Sequence, residues 1–286
     1  MVLILTHRGL EPNKNDFFSE GSFEAFEDQL NRRFGIEFDP NFAKDGIIVF
    51  HDSSLKRITR GENERNFSEM KLAEIKGIGL EKGRIAELAE ILQLIKKSKS
   101  KLNALHLKGI YQNGKNIDSI IKEIEKYGVI DKILLFDIKP EFAEYIKLKN
   151  DKIKLAPSVA HEYDIKRYNQ FVGGTLISIE DTLKYKKENL YDWAWLDEWD
   201  TLDEKGGEKR LSTRENFDKL RKVGYKIATI TPELHGTSPG LYGGESHKDA
   251  VNKDVLFKRI KELIELEPDA ICTDYPEEVR EMIERE

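Results

Sequence analysis

Three short stretches of this chain carry residue types that do chemistry together. His7-Arg8-Gly9 sets an imidazole, a fixed positive charge and a flexible turn side by side. Imidazole suits proton transfer because its ordinary pKa lies near neutrality, and a guanidinium matches phosphate oxygens with two parallel donors. Glu37-Phe38-Asp39 places two carboxylates two residues apart, on one side of an extended chain, with the phenylalanine packing away from them. Without a cation such a pair repels, so a bound Mg²⁺ or Ca²⁺ gives it a physical reason; two solvated charges are the alternative. His51-Asp52 supplies a second imidazole. Taken singly, each histidine could equally be structural.

The elements that must carry these groups read as alternating strand and helix. Aliphatic or β-branched runs recur at 2–5, 35–38, 102–107, 132–136, 152–156, 192–196, 226–230 and 269–272. Amphipathic segments lie between them, at 22–33, 86–97, 116–127, 213–223 and 254–266. Eight such repeats in 286 residues predict a single (β/α)₈ TIM barrel over 1–286, with a doubly wound open sheet as the competing topology. Residues 47–50 are an extra strand-like run behind Lys44-Asp45-Gly46, expected as a hairpin excursion. The stretch 171–179 is ambiguous, and 203–210 and 237–252 look irregular.

In such a barrel the chemistry sits where strands end at the carboxyl face. The predicted ends are polar almost throughout: His7-Arg8, Glu37 and Asp39, His106 and Lys108, Asp137, Asp197-Glu198, Glu233 and His235, and Thr273-Asp274. Glu233 and His235 fall on one side of an extended chain and are candidates for lining the mouth, whereas Glu245 and His247 read as ordinary loop residues. Trp193, Trp195 and Trp199 either border the pocket or pack in the core.

Composition narrows the partners. A net charge of −6 leaves no broad basic field for nucleic acid or an anionic membrane. The apolar start lacks the charged and long apolar regions of a signal peptide, and no run reaches membrane-spanning length. The single cysteine, Cys272, sits among apolar neighbours and reads as a buried thiol. A cytoplasmic protein acting on a small molecule is the expectation; nothing in the sequence sets an oligomeric state.

Taken together, the motifs resemble the glycerophosphodiester phosphodiesterase family almost end to end. The resemblance is carried by His7-Arg8-Gly9, Glu37-x-Asp39, His51-Asp52 with Ser54 to Gly61, the stretches 67–75 and 85–92, and a closing Asp269 to Pro276. It implies that His7 and His51 serve as general base and acid, that Glu37 and Asp39 bind one divalent ion, and that Arg8 contacts phosphate. It also implies attack on phosphorus by a neighbouring substrate hydroxyl, followed by opening of a cyclic phosphate by water.

Two departures stand out. The family's third strand normally ends Glu-x-Lys, the Glu binding metal and the Lys phosphate; here it reads His106-x-Lys108. Either His106 ligates, which favours Mn²⁺ or Zn²⁺ over Mg²⁺ or Ca²⁺, or Asp137 or Asp197 completes the shell, or His106 is structural. The segment Pro232 to Gly236 likewise replaces the family's Trp-Thr-like run. Altered specificity follows, with glycerophosphocholine-like molecules, sugar phosphodiesters and cyclic phosphates as candidates. Two other functions remain: a non-catalytic barrel binding a phosphorylated metabolite, and a different hydrolase or lyase using Glu233 and His235.

Overall fold

The computed structural model describes residues 2–14, 16–232 and 247–285. Thirteen strands occur among them: β1 (Leu3–His7), β2 (Gly35–Phe38), β3 (Pro40–Phe42), β4 (Ile47–Val49), β5 (Ala86–Glu87), β6 (Asn103–His106), β7 (Ile133–Phe136), β8 (Lys154–Ala156), β9 (Ser158–Val159), β10 (Leu176–Ile177), β11 (Trp193–Leu196), β12 (Lys226–Ile230) and β13 (Ala270–Thr273). Ten of them form one parallel sheet in the order β10-β9-β11-β12-β13-β1-β2-β6-β7-β8. Helices cross between successive strands, as parallel pairing requires.

The sheet closes because its two flanks meet on one stretch of chain. β8 and β9 are the halves of a fifth barrel strand interrupted at Pro157, which has no N–H for the ladder. β8 pairs with β7, while β11 bonds across the break through Asp192 N–H to the Leu155 carbonyl (3.0 Å) and Trp195 N–H to that of Pro157 (3.2 Å). The result is an α/β barrel of the TIM type with the eight strands read from the sequence. The ambiguous stretch resolves as β10, which lies beside β9 and adds a short flap above the fifth strand.

Alternation divides the side chains. Leu5, Ala104, Leu134, Phe136, Ala156, Trp193, Trp195, Ala228 and Cys272 fill the barrel interior. Ile36, Phe38, Leu105, Leu135, Ala194 and Ile227 face outward, against helix residues such as Phe26, Leu92, Ile120 and Phe217. Cys272 is thus buried, as expected. The excursion after β2 has a small core of its own, with Ile48, Phe50, Leu55, Phe67, Met70, Ile75 and Ile85 beneath the antiparallel sheet β3-β4-β5. That second core holds His51 against the barrel mouth.

Two mouth residues break the alternation. After inward-facing His7 and Phe136, the next side chains would point outward; Arg8 (φ 53°) and Asp137 (φ 67°) instead take the left-handed conformation. Such backbone is costly for residues with a Cβ and persists where surrounding structure holds it. Gly9 follows at φ 69°, packed so closely on Ala25 that a Cβ there would lie 3.0 Å from the Ala25 Cβ. Among the described residues no helix is long and apolar enough to cross a membrane.

Candidate active site

A cavity of about 440 Å³ opens at the carboxyl ends of the strands. Its charged side is made by His7, Arg8, Glu37, His51, His106, Lys108 and Asp137. Groups from β1, β2, β6, β7 and the excursion therefore converge, although they are spread over 131 residues of chain.

Both imidazoles expected to move protons are held by carboxylates. His7 Nδ1 bonds Asp274 Oδ1 at 3.0 Å, joining the ends of adjacent strands β1 and β13. His51 Nδ1 bonds Asp52 Oδ1 at 2.9 Å, and Asp52 in turn accepts from Arg57 Nε at 2.6 Å. Each arrangement anchors a ring through Nδ1. Burial, joined by the nearby Arg8 charge, pushes His51 down to about 3, so its ring is neutral at physiological pH. The pairing of Asp274 with His7 was not legible in advance; its signals were its place at the last strand end and in the closing motif 269–276.

The second group is a set of side chains of metal-ligating type. Glu37, Asp39 and His106 each offer one ligand atom, all within 4.8 Å of one another. His106 Nδ1 is 2.9 Å from Asp39 Oδ1 and 4.0 Å from Glu37 Oε1. Two ligands bound to one ion at about 2.1–2.4 Å lie at most about 4.2–4.8 Å apart, so donors of this spacing match the reach of a single divalent cation. The second oxygen of Glu37 is occupied by the Arg8 N–H at 3.2 Å. Burial and the adjacent Asp39 carboxylate push Glu37 up to about 7. Burial alone would raise Asp39 too, but the Lys108 charge and the hydrogen bond and charge of His106 outweigh it and hold this carboxyl well below its usual range. For His106 burial opposes the charge, yet hydrogen bonds to Asp137 and Asp39 prevail and raise it to about 10.

Cations frame the cluster. Lys108 Nζ stands 3.4 Å from Asp39 Oδ1 and also donates to the His51 carbonyl. Arg8 Nε is 3.9 Å from Asp39 Oδ2. Across the cavity the wall is apolar, with Ile110, Phe171, Val172, Leu176 and Trp199, the last stacked on Tyr168 at 4.8 Å. Trp193 belongs to the barrel interior, and Trp195 reaches both interior and cavity.

Asp197 also lines the cavity. Glu233, His235 and Glu245 lie outside the described residues. His247, read as an ordinary loop residue, lines the cavity as well, its Nδ1 accepting the Asp249 N–H at 3.2 Å.

The sequence model described as the glycerophosphoryl diester phosphodiesterase family matches residues 7–278. No curated protein matches the chain. Among solved structures, a Galdieria sulphuraria protein assigned as a glycerophosphodiester phosphodiesterase is 17% identical, with TM-score 0.70 over 99% of this chain and 98% of that one. The glycerophosphodiester phosphodiesterase of Agrobacterium tumefaciens is 17% identical, with TM-score 0.60 over 98% and 99%. An Oleispira antarctica phosphodiesterase, in complex with the product sn-glycerol-3-phosphate, is also 17% identical, with TM-score 0.63 over 99% and 96%. At such identities the likeness is one of fold.

Proposed function

The chain belongs to the glycerophosphoryl diester phosphodiesterase family, phosphoric diester hydrolases, and from that premise we propose that it cleaves a small, soluble glycerophosphodiester with His7 and His51 as the proton-transfer pair and one divalent ion on Glu37, Asp39 and His106. The observation that carries this reading is the convergence of both carboxylate-held imidazoles and the metal-binding set on one cavity. The Oleispira antarctica phosphodiesterase, in complex with its glycerol phosphate product, supports the substrate class.

The residues divide the work as follows. Arg8 and Lys108 receive the phosphate, their charges already directed at the acidic cluster. His51, neutral before substrate binds, is poised to accept a proton from an attacking hydroxyl through Nε2, the reverse of the order the resemblance implied. His7, backed by Asp274, is poised to give one to the leaving oxygen. When bound, the ion supplies Lewis-acid stabilisation of the negative charge that grows on the phosphoryl oxygens. The apolar wall of Ile110, Phe171, Val172 and Leu176 receives the departing alcohol, with Asp197 lining the same cavity. A reducing, cytoplasmic setting agrees with the one buried thiol.

The test is a panel of glycerophosphodiesters, sugar phosphodiesters and cyclic phosphates, assayed with Mg²⁺, Ca²⁺, Mn²⁺ and Zn²⁺ for release of glycerol phosphate and free alcohol. Hydrolysis that needs an added ion and disappears in His7→Ala and His51→Ala is the expected result. Turnover surviving in the double mutant, or none across the panel, would overturn the assignment in favour of a different chemistry or a binding barrel.

A further inference from the structure

The surroundings of His106 account for its presence where an acid would be usual. Its ring stacks on Phe136, centroids 4.7 Å apart and planes 17° apart, and Phe136 stacks on Trp195 at 3.9 Å. With its plane fixed, the ring presents Nδ1 to Glu37 and Asp39, and Nε2 to Asp137 Oδ2 at 3.2 Å. An ionised carboxylate only accepts, so the Nε2 position carries a proton directed at Asp137. By the same reasoning Nδ1 carries a proton directed at Asp39 (2.9 Å) in the metal-free ring, and an ion bound between the two acids would take the place of that proton.

The chain goes to some length to put Asp137 there. Strand alternation would send it outward, and the left-handed turn at φ 67° returns it to the mouth. Gln112 then clamps the turn: its Nε2 donates to the Asp137 carbonyl (2.6 Å) and the Leu107 carbonyl (2.7 Å), and its Oε1 accepts from Lys139 N–H (3.0 Å). One buried amide therefore ties together the ends of β6 and β7, and with them His106 and Asp137.

We propose that Asp137 is a positioning residue that holds His106 in the tautomer protonated at Nε2, so that two oxygens and one nitrogen select a first-row transition ion over Mg²⁺ or Ca²⁺. The proposal rests on the metal site assigned above. Imidazole nitrogen is a borderline donor suited to Mn²⁺, Co²⁺ and Zn²⁺, whereas Mg²⁺ and Ca²⁺ gain most from oxygen. An outer carboxylate on the far nitrogen orients the ring and raises its basicity, and its loss typically weakens metal binding about 10–100-fold.

Calorimetric titration of the metal-free protein with MnCl₂, MgCl₂ and CaCl₂, with the visible absorption of the Co²⁺ complex as a second readout, tests the idea. Wild type is expected to bind Mn²⁺ at least about tenfold more tightly than Mg²⁺ or Ca²⁺. Asp137→Asn keeps the shape of the side chain and should lose about tenfold in Mn²⁺ affinity, with circular dichroism unchanged. His106→Glu should reverse the order of preference and displace the Co²⁺ band. Equal or tighter binding of Mg²⁺ or Ca²⁺ by wild type, or Asp137→Asn titrating like wild type, would sink this inference and leave the hydrolase reading standing. No binding of any divalent ion would remove both.

Discussion

The barrel mouth holds two clusters of similar composition and opposite character. On the early strands, Glu37, Asp39 and His106 gather within 4.8 Å; beyond the late strands, Glu198, His247 and Asp249 do the same. The difference lies in how their lone pairs are spent. Glu198 accepts from Arg259 Nη2 (3.0 Å) and from Leu211 N–H (2.6 Å), and Asp249 is gripped by both terminal nitrogens of Arg210, Nη2 at 3.1 Å. His247 has already turned Nδ1 to a backbone N–H. Guanidiniums neutralise the late cluster and bind it into an ion-pair network. In the early cluster the nearest flanking cations, Lys108 and Arg8, stand at 3.4 and 3.9 Å from Asp39. Groups of the same metal-ligating type thus differ in how closely guanidiniums already engage them.

The largest test of this contrast is catalytic. His7→Ala or His51→Ala should lower turnover of bis-p-nitrophenyl phosphate by about 10²–10⁴-fold, as loss of a general acid or base does, while late-cluster Asp249→Asn stays within about threefold of wild type once folded. A comparable loss in Asp249→Asn would collapse the distinction. Next comes metal affinity. Glu37→Gln removes a ligand and should weaken Mn²⁺ binding by more than about tenfold in calorimetry, with Glu198→Gln unchanged; equal losses would show that both clusters bind.

Stability should reverse the order. Arg259→Met leaves Glu198 and Asp249 short of a cation at a largely buried site, a change worth roughly 3 kcal/mol and several degrees in Tm by scanning calorimetry. An unchanged Tm would mean that the network is ornamental. The smallest effect is in acid. Burial alone would raise Asp249, but Arg210, His247 and Arg259 together hold it below its ordinary value. A carboxyl depressed in the fold contributes fully above its unfolded pKa, near 4, and loses that contribution as the pH falls through its folded value. Wild type should therefore lose Tm between pH 5 and pH 3 more steeply than Asp249→Asn, by about 2 °C, and parallel curves would count against the pairing.

Much of this site was legible in one dimension. Glu37 and Asp39 announce themselves because side chains two apart on a strand share a face, and Glu37 does face inward while Ile36 and Phe38 pack outward. His7-Arg8-Gly9 and His51-Asp52 were found by type and order, and the eight strands by their aliphatic runs. The stretch 171–179 was not, because a two-residue strand has too little pattern to distinguish it from a loop, and it forms only by pairing with β9. That His247 lines the cavity was likewise not legible, because a polar residue in a Gly-rich stretch gives no sign of where it will face.

What the amino-acid order determined by itself was the barrel, its polar strand ends and the inventory of chemical groups, since these depend on short-range periodicity and on side-chain chemistry. Which group meets which was decided only by the closed fold. Asp274 reaches His7 across 267 residues because β13 and β1 become neighbours when the barrel closes. Asp137 reaches His106 because its backbone takes a conformation that strand alternation forbids and the Gln112 clamp sustains. Long-range pairing and a locally unfavourable φ both draw their stability from the rest of the molecule, and no local stretch of sequence carries that information.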